Sequence, residues 1–412
     1  MGDDLENAKQ QDCDIVDGGQ TIQIKYKMDS STSKSLVSEY SPIHGFATPE
    51  GTHKFKINAI KNGIAKSHFR SFNNLNFTSL GMGTYLGQIT SEDDHDMENA
   101  IYECVKSGAM NVIDTAINYR SMKSERNIGN AMKKLIDEGI VSRDQVFIST
   151  KNGYITNDGD YPTIDVLEYM HKMFISQGII DSKDISSGYN VLNPNYIRKC
   201  IDRSLTNMQL DTIDLVYVHN AYESWVEDIT RSDFDEMIRR VFQVYEEYRS
   251  KNKIKFYGMA TWTCFRLPKN DTGYLSLEDM VRIAKDVGGK DHGFRFIQLP
   301  YNLAYTEAYL LKNQSVDGET ELSILEACNR LKIGVFTSVP LLQTKLFGAT
   351  IPDYMGYNNQ LLKIIQITRS TPNILAPLIG QKKLQHVKEN IDLAKVAPLN
   401  NSEFNDAIKI FK

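Results

Sequence analysis

Four ionisable residues, Asp114, Tyr119, Lys151 and His219, follow or end apolar runs that are typical of short buried strands. A free phenol has a pKa near 10, and an adjacent ammonium lowers that pKa because it favours the phenolate. Lys151 could act in this way on Tyr119 if Asp114 held the lysine charged and oriented. His219 adds another hydrogen-bond donor. Such a set suits protonation of a carbonyl oxygen while a hydride from another source attacks the carbon.

Each of these residues also has a simpler interpretation when it is taken alone. An aspartate at a strand end is more often a turn former or a helix cap. A loop tyrosine usually packs, a lysine is usually solvated, and a strand histidine is often a hydrogen-bonded core residue. The chemical interpretation therefore depends on a fold that gathers the four side chains at one place.

The apolar runs that carry these residues belong to a regular alternation of strands and helices. Strands are predicted at residues 77–83, 110–113, 146–150, 213–218, 254–260, 294–299, 333–337 and 374–379. Helices are predicted between and after them at residues 97–105, 124–136, 196–205, 232–245, 276–287, 322–331, 360–367 and 384–394.

Eight strand–helix units predict an α/β fold, a closed (β/α)8 TIM barrel, in which the carboxyl ends of the strands carry the site. The rival architecture is a doubly wound open sheet. That sheet usually carries G-x-G-x-x-G after its first strand, and the glycines of this chain do not fit that spacing.

Three segments are expected along the chain. Residues 1–42 are polar and lack periodicity, so we expect them to be mobile. Residues 43–74 are predicted to form an N-terminal extension that packs on the barrel, with a helix from Pro49 toward Ile60. Residues 75–412 are predicted to form the barrel itself.

The connection after the third strand, residues 152–194, is unusually long and predicts a lid or pocket wall. It contains four aromatic residues that favour a hydrophobic or planar substrate: Tyr154, Tyr161, Phe174 and Tyr189. The alternative interpretation is that they are simple packing residues, which is the more common role of loop aromatics.

Composition narrows the possible partners and location of the protein. A net charge of −5 gives no reason to expect nucleic acid or an anionic membrane as a partner. The polar, acidic start does not resemble a targeting signal, and no apolar run reaches membrane-spanning length. The five cysteines are scattered and form no ligand pattern for a metal. We therefore expect a cytoplasmic protein with reduced thiols and no metal site.

Residues 75–395 resemble the aldo-keto reductase family, because the motifs occur in the same order along the chain. Asp114-x-x-x-x-Tyr119, Lys151 and His219 match the family's Asp, Tyr, Lys and His tetrad in order and in strand position. The resemblance implies that Tyr119 is the proton donor and that Lys151 and Asp114 tune it. It also implies that His219 orients the carbonyl group.

The resemblance further implies a bound NADP(H). The residues that correspond to the family's cofactor site are Gly83, Thr84, Tyr85, Thr261, Gln298 and Ser338 at the nicotinamide end, Pro340 and Leu341 at the pyrophosphate, and Gly380, Lys382, His386, Glu389 and Asn390 at the adenosine end. Lys382 would meet a 2′-phosphate at the start of a helix, where anions are favoured. This position favours NADPH over NADH.

Three positions depart from the family's usual residues. Ser338 stands where a tyrosine usually stacks on the nicotinamide. Ala260-Thr261 stands where Ser-Asn is usual, and His386 stands where Gln or Arg is common beside adenine. Loss of the stacking ring removes apolar contact with the cofactor, and Tyr85 or Trp262 could compensate for it.

The resemblance implies an NADPH-dependent oxidoreductase that reduces an aldehyde or ketone to an alcohol, or catalyses the reverse reaction, on a small-molecule substrate. The alternative from another class is a cofactor-binding regulatory or sensor protein without significant turnover, similar to the family's potassium-channel β-subunits. A barrel enzyme of different chemistry is a third hypothesis.

Overall fold

The structure, a computed structural model, describes residues 15–17, 20–22, 41–357 and 359–409. The expectation that residues 1–42 are mobile falls mostly outside these ranges. Strands β1 (Ile15–Asp17) and β2 (Gln20–Ile22) form an antiparallel pair of their own.

A helix and a hairpin precede the barrel. Helix α1 (Pro49–Lys61) begins as expected, because the Thr48 side chain accepts a hydrogen bond from the Gly51 N–H at 2.9 Å. Antiparallel strands β3 (Phe69–Phe72) and β4 (Leu75–Thr78) follow it.

Eight parallel strands in the described ranges close into a barrel, which confirms the predicted (β/α)8 fold. The barrel strands are β5 (Gly81–Gly83), β6 (Val112–Asp114), β7 (Phe147–Asn152), β8 (Ile213–His219), β9 (Ile254–Ala260), β10 (Phe294–Pro300), β13 (Gly334–Ser338) and β14 (Ile374–Gly380). Strands β11 (Gln314–Val316) and β12 (Glu319–Leu322) form a separate antiparallel pair. The last strand, β14, pairs with β5 and completes the ring.

The helices between these strands lie where apolar periodicity predicts them. The helices after α1 are α2 (Ser91–Lys106), α3 (Lys123–Asp137), α4 (Val166–Met170), α5 (Pro194–Met208), α6 (Ala221–Trp225), α7 (Arg231–Ser250), α8 (Leu277–Gly288), α9 (Glu307–Leu310), α10 (Ile324–Leu331), α11 (Gln360–Ser370), α12 (Leu384–Lys395) and α13 (Asn401–Lys409). The short helices α4, α6 and α9 and the C-terminal α13 have no counterpart in the sequence prediction.

The segment 77–83 differs from its prediction as a short strand that runs into a glycine-broken turn. The structure divides it into β4 of the hairpin and the short barrel strand β5, with a bend at Ser79-Leu80. The apolar pattern did not reveal the division, because residues on both sides of the bend are buried. Phe77 therefore belongs to the hairpin that covers the barrel and not to the barrel wall.

Aromatic rings fill the end of the barrel opposite Asp114. The Phe77 ring is fully buried and lies edge-on to Phe147, with ring centroids 5.0 Å apart, and to Phe336 at 5.7 Å. Phe296 stacks on Phe336 at 5.8 Å. Because Phe147 begins β7, these rings close the amino end and leave the carboxyl end for the polar residues.

The long connection after β7 contains α4 and one π-helical turn, His171–Ile175. Phe174 of this turn packs edge-on against Tyr196 of α5, with centroids 5.0 Å apart. A cleft of about 190 Å³ lies under the turn and reaches Ile117 and Met122, on either side of Tyr119 in the chain. The long connection also contacts the loop that carries the phenol, since the Gly159 N–H donates to the Ser121 backbone oxygen at 2.7 Å.

Four cysteines lie in the described ranges, and all four are free and buried: Cys104, Cys200, Cys264 and Cys328. Within the same ranges, no three His, Cys, Asp or Glu side chains are grouped so that they could hold a metal ion. No helix that the structure describes combines the length and the apolar character needed to span a bilayer.

Replacement of Phe77 by alanine should destabilise the barrel by about 3–5 kcal/mol, because it empties a closely packed aromatic cluster. Urea unfolding followed by circular dichroism measures the change. Phe347→Ala is the matched control, since Phe347 is 44% exposed and its loss should cost less than about 1 kcal/mol. Equal stability of the two variants would contradict the role of Phe77 as the closing ring.

Candidate active site

The barrel brings the predicted tetrad together at the carboxyl ends of three neighbouring strands. Asp114 ends β6, Lys151 is the penultimate residue of β7, and His219 ends β8. Tyr119 lies in the loop between β6 and α3. Parallel pairing of β6 with β7 and of β7 with β8 fixes these strand ends side by side.

The Lys151 ammonium lies at the centre of the group. Its Nζ donates to Asp114 Oδ2 at 2.5 Å, to the backbone oxygen of Thr115 at 2.7 Å and to the Tyr119 hydroxyl at 3.3 Å. The side chains of Lys151 and Asp114 are only 1% and 4% exposed. An ammonium has three donors, so these contacts use all of them. The lysine is thus fixed between a carboxylate and a phenol.

Two further donors hold the Asp114 carboxylate. The Ser149 hydroxyl donates to Oδ1 at 2.7 Å, and the Gln298 amide donates to the same oxygen at 2.9 Å. A buried ion pair is retained only when its remaining polar groups are also satisfied. Ser149 and Gln298 meet that requirement for Asp114.

The pKa of Tyr119 differs from the expectation. Burial raises the pKa of Tyr119, the Lys151 charge lowers it, and the Asp114 charge raises it; the net pKa is above the ordinary value for tyrosine. The expectation of a net lowered pKa is therefore wrong, although the ammonium acts in the predicted direction. Tyr119 is a neutral phenol at neutral pH, with a proton to donate.

Lys151 remains charged in this environment. Burial lowers the pKa of Lys151, but the Asp114 charge and the Tyr119 phenol outweigh burial, so the net pKa is raised. The expectation that Asp114 keeps the lysine charged agrees with this direction.

His219 is held as a neutral imidazole. Burial, and after it the positive charge of Lys151, lower the pKa of His219 well below its ordinary value. The ring lies edge-on to Tyr119, with centroids 6.0 Å apart, and to Tyr154, with centroids 4.9 Å apart. Its Nδ1 is buried and has no hydrogen-bond partner among the described residues. A neutral imidazole can donate to a substrate oxygen without adding charge.

The residues expected at the nicotinamide end also contact the tetrad. Gly83 pairs with Asp114 in the barrel register. The Thr84 N–H and hydroxyl both donate to the Asp114 backbone oxygen at 3.1 Å. The Tyr85 side chain is 62% exposed, and its ring lies edge-on to Tyr119 at 5.1 Å. Thr84 thus stabilises the carboxyl end of β6, and the Tyr85 ring lies beside the Tyr119 phenol.

Thr261 and Gln298 are buried neighbours beyond β9 and in β10. The Thr261 N–H donates to the Gln298 backbone oxygen at 2.8 Å, while the Gln298 amide reaches Asp114. The side chain of Gln298, which is expected to bind the nicotinamide carboxamide, thus contacts Asp114 of the tetrad directly.

The expected pyrophosphate loop follows β13. Ser338 is half-buried, Pro340 is buried and Leu341 is half-buried. Four residues of this loop have left-handed backbone angles: Val339 (φ 46°), Leu342 (48°), Gln343 (52°) and Thr344 (71°). Such angles are costly for residues other than glycine and cluster at functional loops.

The residues expected at the adenosine end are divided between surface and interior. Gly380 ends β14 opposite Gly83, and Lys382 forms an ion pair with Asp93. His386 and Glu389 are exposed on α12. Asn390 is buried; its side-chain N–H donates to the Gln381 side-chain oxygen at 2.5 Å, while its Oδ1 has no hydrogen-bond partner among the described residues.

The aromatic residues of the long connection have different surroundings. The Tyr154 ring contacts His219, whereas the Phe174 ring packs against Tyr196. Tyr161 and Tyr189 are 63% and 56% exposed. Of these four residues, Tyr154 is the one that adjoins the tetrad.

Several positioning contacts escaped the sequence analysis. Ser149 precedes Lys151 by two residues, so strand periodicity could have placed both on the same face. Arg120, beside Tyr119, donates to the Gln88 backbone oxygen and to Asp94. No local pattern predicts these contacts, because they join segments that meet only in the fold.

Glu223 is a further residue that the sequence did not indicate. Its Oε1 accepts hydrogen bonds from the backbone N–H groups of residues 262, 263 and 264, at 2.7, 2.8 and 3.1 Å. It thereby fixes the loop after β9, which carries Trp262.

Comparison with solved structures gives the same fold. An aldo-keto reductase from Klebsiella pneumoniae, in complex with NADP and acetate, is 17% identical; the match covers 84% of this chain and 96% of that chain, with a TM-score of 0.53. An aldo-keto reductase from Bacillus halodurans, in its holo form, is 18% identical over 84% of this chain and 97% of that chain, with a TM-score of 0.53.

A sequence relative matches a shorter stretch. The aldose reductase of Encephalitozoon cuniculi (strain GB-M1) is 40% identical over 73 residues, which are 18% of this chain and 22% of that protein. The chain thus matches less than a quarter of the length of this relative.

The sequence profile of the aldo/keto reductase family matches residues 79–353, from the bend before β5 to the loop after β13. This range contains the whole tetrad and seven of the eight barrel strands. Because the match extends over more than half of the chain, the protein belongs to the aldo/keto reductase family.

Proposed function

We propose that this protein is an NADP-dependent oxidoreductase that reduces an aldehyde or ketone to an alcohol, or catalyses the reverse, with Tyr119 as the proton donor. The observation that carries the proposal is the buried Lys151 ammonium, which lies 2.5 Å from Asp114 Oδ2 and 3.3 Å from the Tyr119 hydroxyl. Cofactor binding alone does not require a buried phenol beside an ammonium. The arrangement therefore favours turnover over a sensor role.

In the proposed reaction, Tyr119 gives its proton to the carbonyl oxygen as negative charge develops there. The phenolate that remains lies beside Lys151, whose charge stabilises it. Asp114 keeps that ammonium charged and in place. In the oxidising direction the phenolate takes the proton back from the alcohol.

His219 would orient the substrate oxygen by donating a neutral hydrogen bond. Two other side chains beside the tetrad in sequence or space, Asn118 and Asn190, have buried Oδ1 atoms with no hydrogen-bond partner among the described residues. Asn190 also donates to the His219 backbone oxygen at 2.9 Å. Since buried polar atoms are normally paired, these atoms support a polar ligand at this face of the barrel.

The residues of the chain also fit a nicotinamide cofactor, in line with the NADP complex of the Klebsiella pneumoniae protein. When bound, the reduced nicotinamide supplies the hydride, which no side chain of the tetrad can supply. Gln298 and Thr261 would hold its carboxamide, and the Lys382 cation would meet the 2′-phosphate. Ser338 provides no ring to stack, but Tyr85 and Trp262 keep exposed rings, 62% and 41% accessible, on loops after barrel strands.

The Tyr119→Phe variant should lose carbonyl reduction by at least about 100-fold, because general-acid catalysis typically contributes 10²–10⁴-fold. It should still bind NADPH, since the ring remains. Consumption of NADPH with a panel of aldehydes and ketones measures turnover, and quenching of protein fluorescence measures binding. The matched control is Tyr189→Phe, which removes an exposed phenol from the long connection and should leave the rate unchanged.

The outcomes of this experiment separate the hypotheses. Tight NADPH binding by the wild type without turnover on any carbonyl would support a sensor. Absence of nicotinamide binding would point to a barrel enzyme of different chemistry. Full activity of Tyr119→Phe would remove Tyr119 as the proton donor.

The pH dependence of reduction follows from the two shifted groups. The pKa of His219 is lowered, so the imidazole stays neutral, and the pKa of Tyr119 is raised, so the phenol stays protonated. We expect kcat/KM to be level between about pH 6 and pH 8 and to fall only at alkaline pH, where Tyr119 loses its proton. An acidic limb near pH 6.5 that disappears in His219→Gln would contradict the neutral imidazole.

A further inference from the structure

The lysine expected to meet the cofactor's 2′-phosphate already has an anionic partner. Lys382 Nζ forms an ion pair with Asp93 Oδ1 at the first turn of α2. The side chain of Lys382 is 25% exposed and that of Asp93 is 11% exposed. The pair thus lies largely within the protein and not on freely moving surface side chains.

Closure of the barrel explains why these distant residues meet. Strand β14 pairs with β5 so that Gly380 lies opposite Gly83. Lys382 follows the end of β14, and α2 is the first helix after β5. The segment after β14 and the segment after β5 therefore begin at adjacent strand ends, on the side of the barrel that carries the tetrad.

Asp93 is fixed in position by other bonds. Its Oδ2 accepts the Gln88 N–H, and its own N–H donates to the Thr90 hydroxyl at 3.2 Å. Hydrogen bonds from Lys382 and Gln88 keep the pKa of Asp93 below its ordinary value. The carboxylate thus stays charged, and its second oxygen is held by the loop after β5.

The neighbouring lysine also pairs with carboxylates, although its side chain is 53% exposed. Lys383 Nζ lies 2.6 Å from Asp96 Oδ2 and 3.3 Å from Glu92 Oε1, both on α2. An anionic group at Lys382 would therefore lie near the carboxylates of this helix, of which Asp93 is the one paired with that lysine. A dianionic 2′-phosphate is penalised by them, whereas an uncharged ribose 2′-hydroxyl can donate a hydrogen bond to a carboxylate.

We propose that Asp93 is a specificity-determining residue that narrows the preference of this protein for NADPH over NADH, by competing with the 2′-phosphate for Lys382. The inference rests on the proposed function, since it requires the adenosine end of the cofactor to lie at Lys382. Carboxylates that bind the ribose 2′-hydroxyl are the usual device of NAD-binding sites in another fold, and the same chemistry applies here.

Dissociation constants for NADPH and NADH, measured by fluorescence titration, test the proposal. Asp93→Asn removes the charge but keeps an acceptor for the Gln88 N–H. It should tighten NADPH binding by about two- to fivefold, since a charge pair near the surface contributes up to about 1 kcal/mol, and leave NADH binding unchanged or weaker. The matched control is Asp96→Asn, which removes a carboxylate one turn along α2 and should change the ratio of the two constants much less.

Asp93→Asn made in a Lys382→Met variant distinguishes competition for the lysine from general charge repulsion between Asp93 and the 2′-phosphate. In Lys382→Met, the effect of Asp93→Asn on NADPH binding should shrink, because the lysine is no longer there to be released. An equal change for NADPH and NADH, or an unchanged ratio in Asp93→Asn, would overturn the proposal.

The wild type supplies a check that requires no variant. Its preference for NADPH over NADH should be modest, below about tenfold, and a preference on the order of 100-fold or more would overturn the inference. Binding of neither cofactor would instead refute the proposed function, so the two failures are distinguishable.

Discussion

A buried ammonium held between a carboxylate and a phenol is the interaction on which the rest of this structure depends. Removing a lysine from water costs several kcal/mol, and only well-made contacts offset that cost. Lys151 has such contacts with Asp114, Thr115 and Tyr119. Ser149 and Gln298 complete the surroundings of the carboxylate. Thr115, Ser149 and Gln298 thus help to keep one charge in place.

The barrel makes this arrangement possible by separating two kinds of packing. Aromatic rings around Phe77 and Phe336 fill the amino end, where no polar partner is needed. The carboxyl end collects one polar residue from each of several strands, and the parallel register holds their relative positions. The same closure joins β14 to β5 and brings Lys382 to Asp93.

Sequence periodicity was sufficient to predict the barrel architecture and the order in which the tetrad residues follow its strands. The strands ending at Asp114 and His219, and the strand carrying Lys151, lie within two residues of their predicted bounds. The division between β4 and β5 was missed because both sides of the bend are buried, so the apolar pattern runs through it. The apolar pattern thus accounts both for the correct strand predictions and for the missed division between β4 and β5.

Other features depend on distances that a sequence does not contain. The direction of the Tyr119 pKa shift is set by the balance between burial and the Lys151 charge. Lys382 and Asp93 are separated by 289 residues, so no local pattern joins them. The cofactor-binding roles of the residues named above are predictions for the same reason. They depend on contacts with a ligand, and a sequence does not contain those contacts.

The Lys151 charge lowers the pKa of Tyr119, against the larger opposing effect of burial. The most direct measurement is an NMR titration of ring-labelled tyrosine in the wild type and in Lys151→Met, with the Tyr119 resonance assigned from Tyr119→Phe. Loss of the ammonium should raise the pKa of Tyr119 further, so that its phenol stays protonated to a higher pH than in the wild type. A Tyr119 that titrates at the same or a lower pH in Lys151→Met would contradict the account.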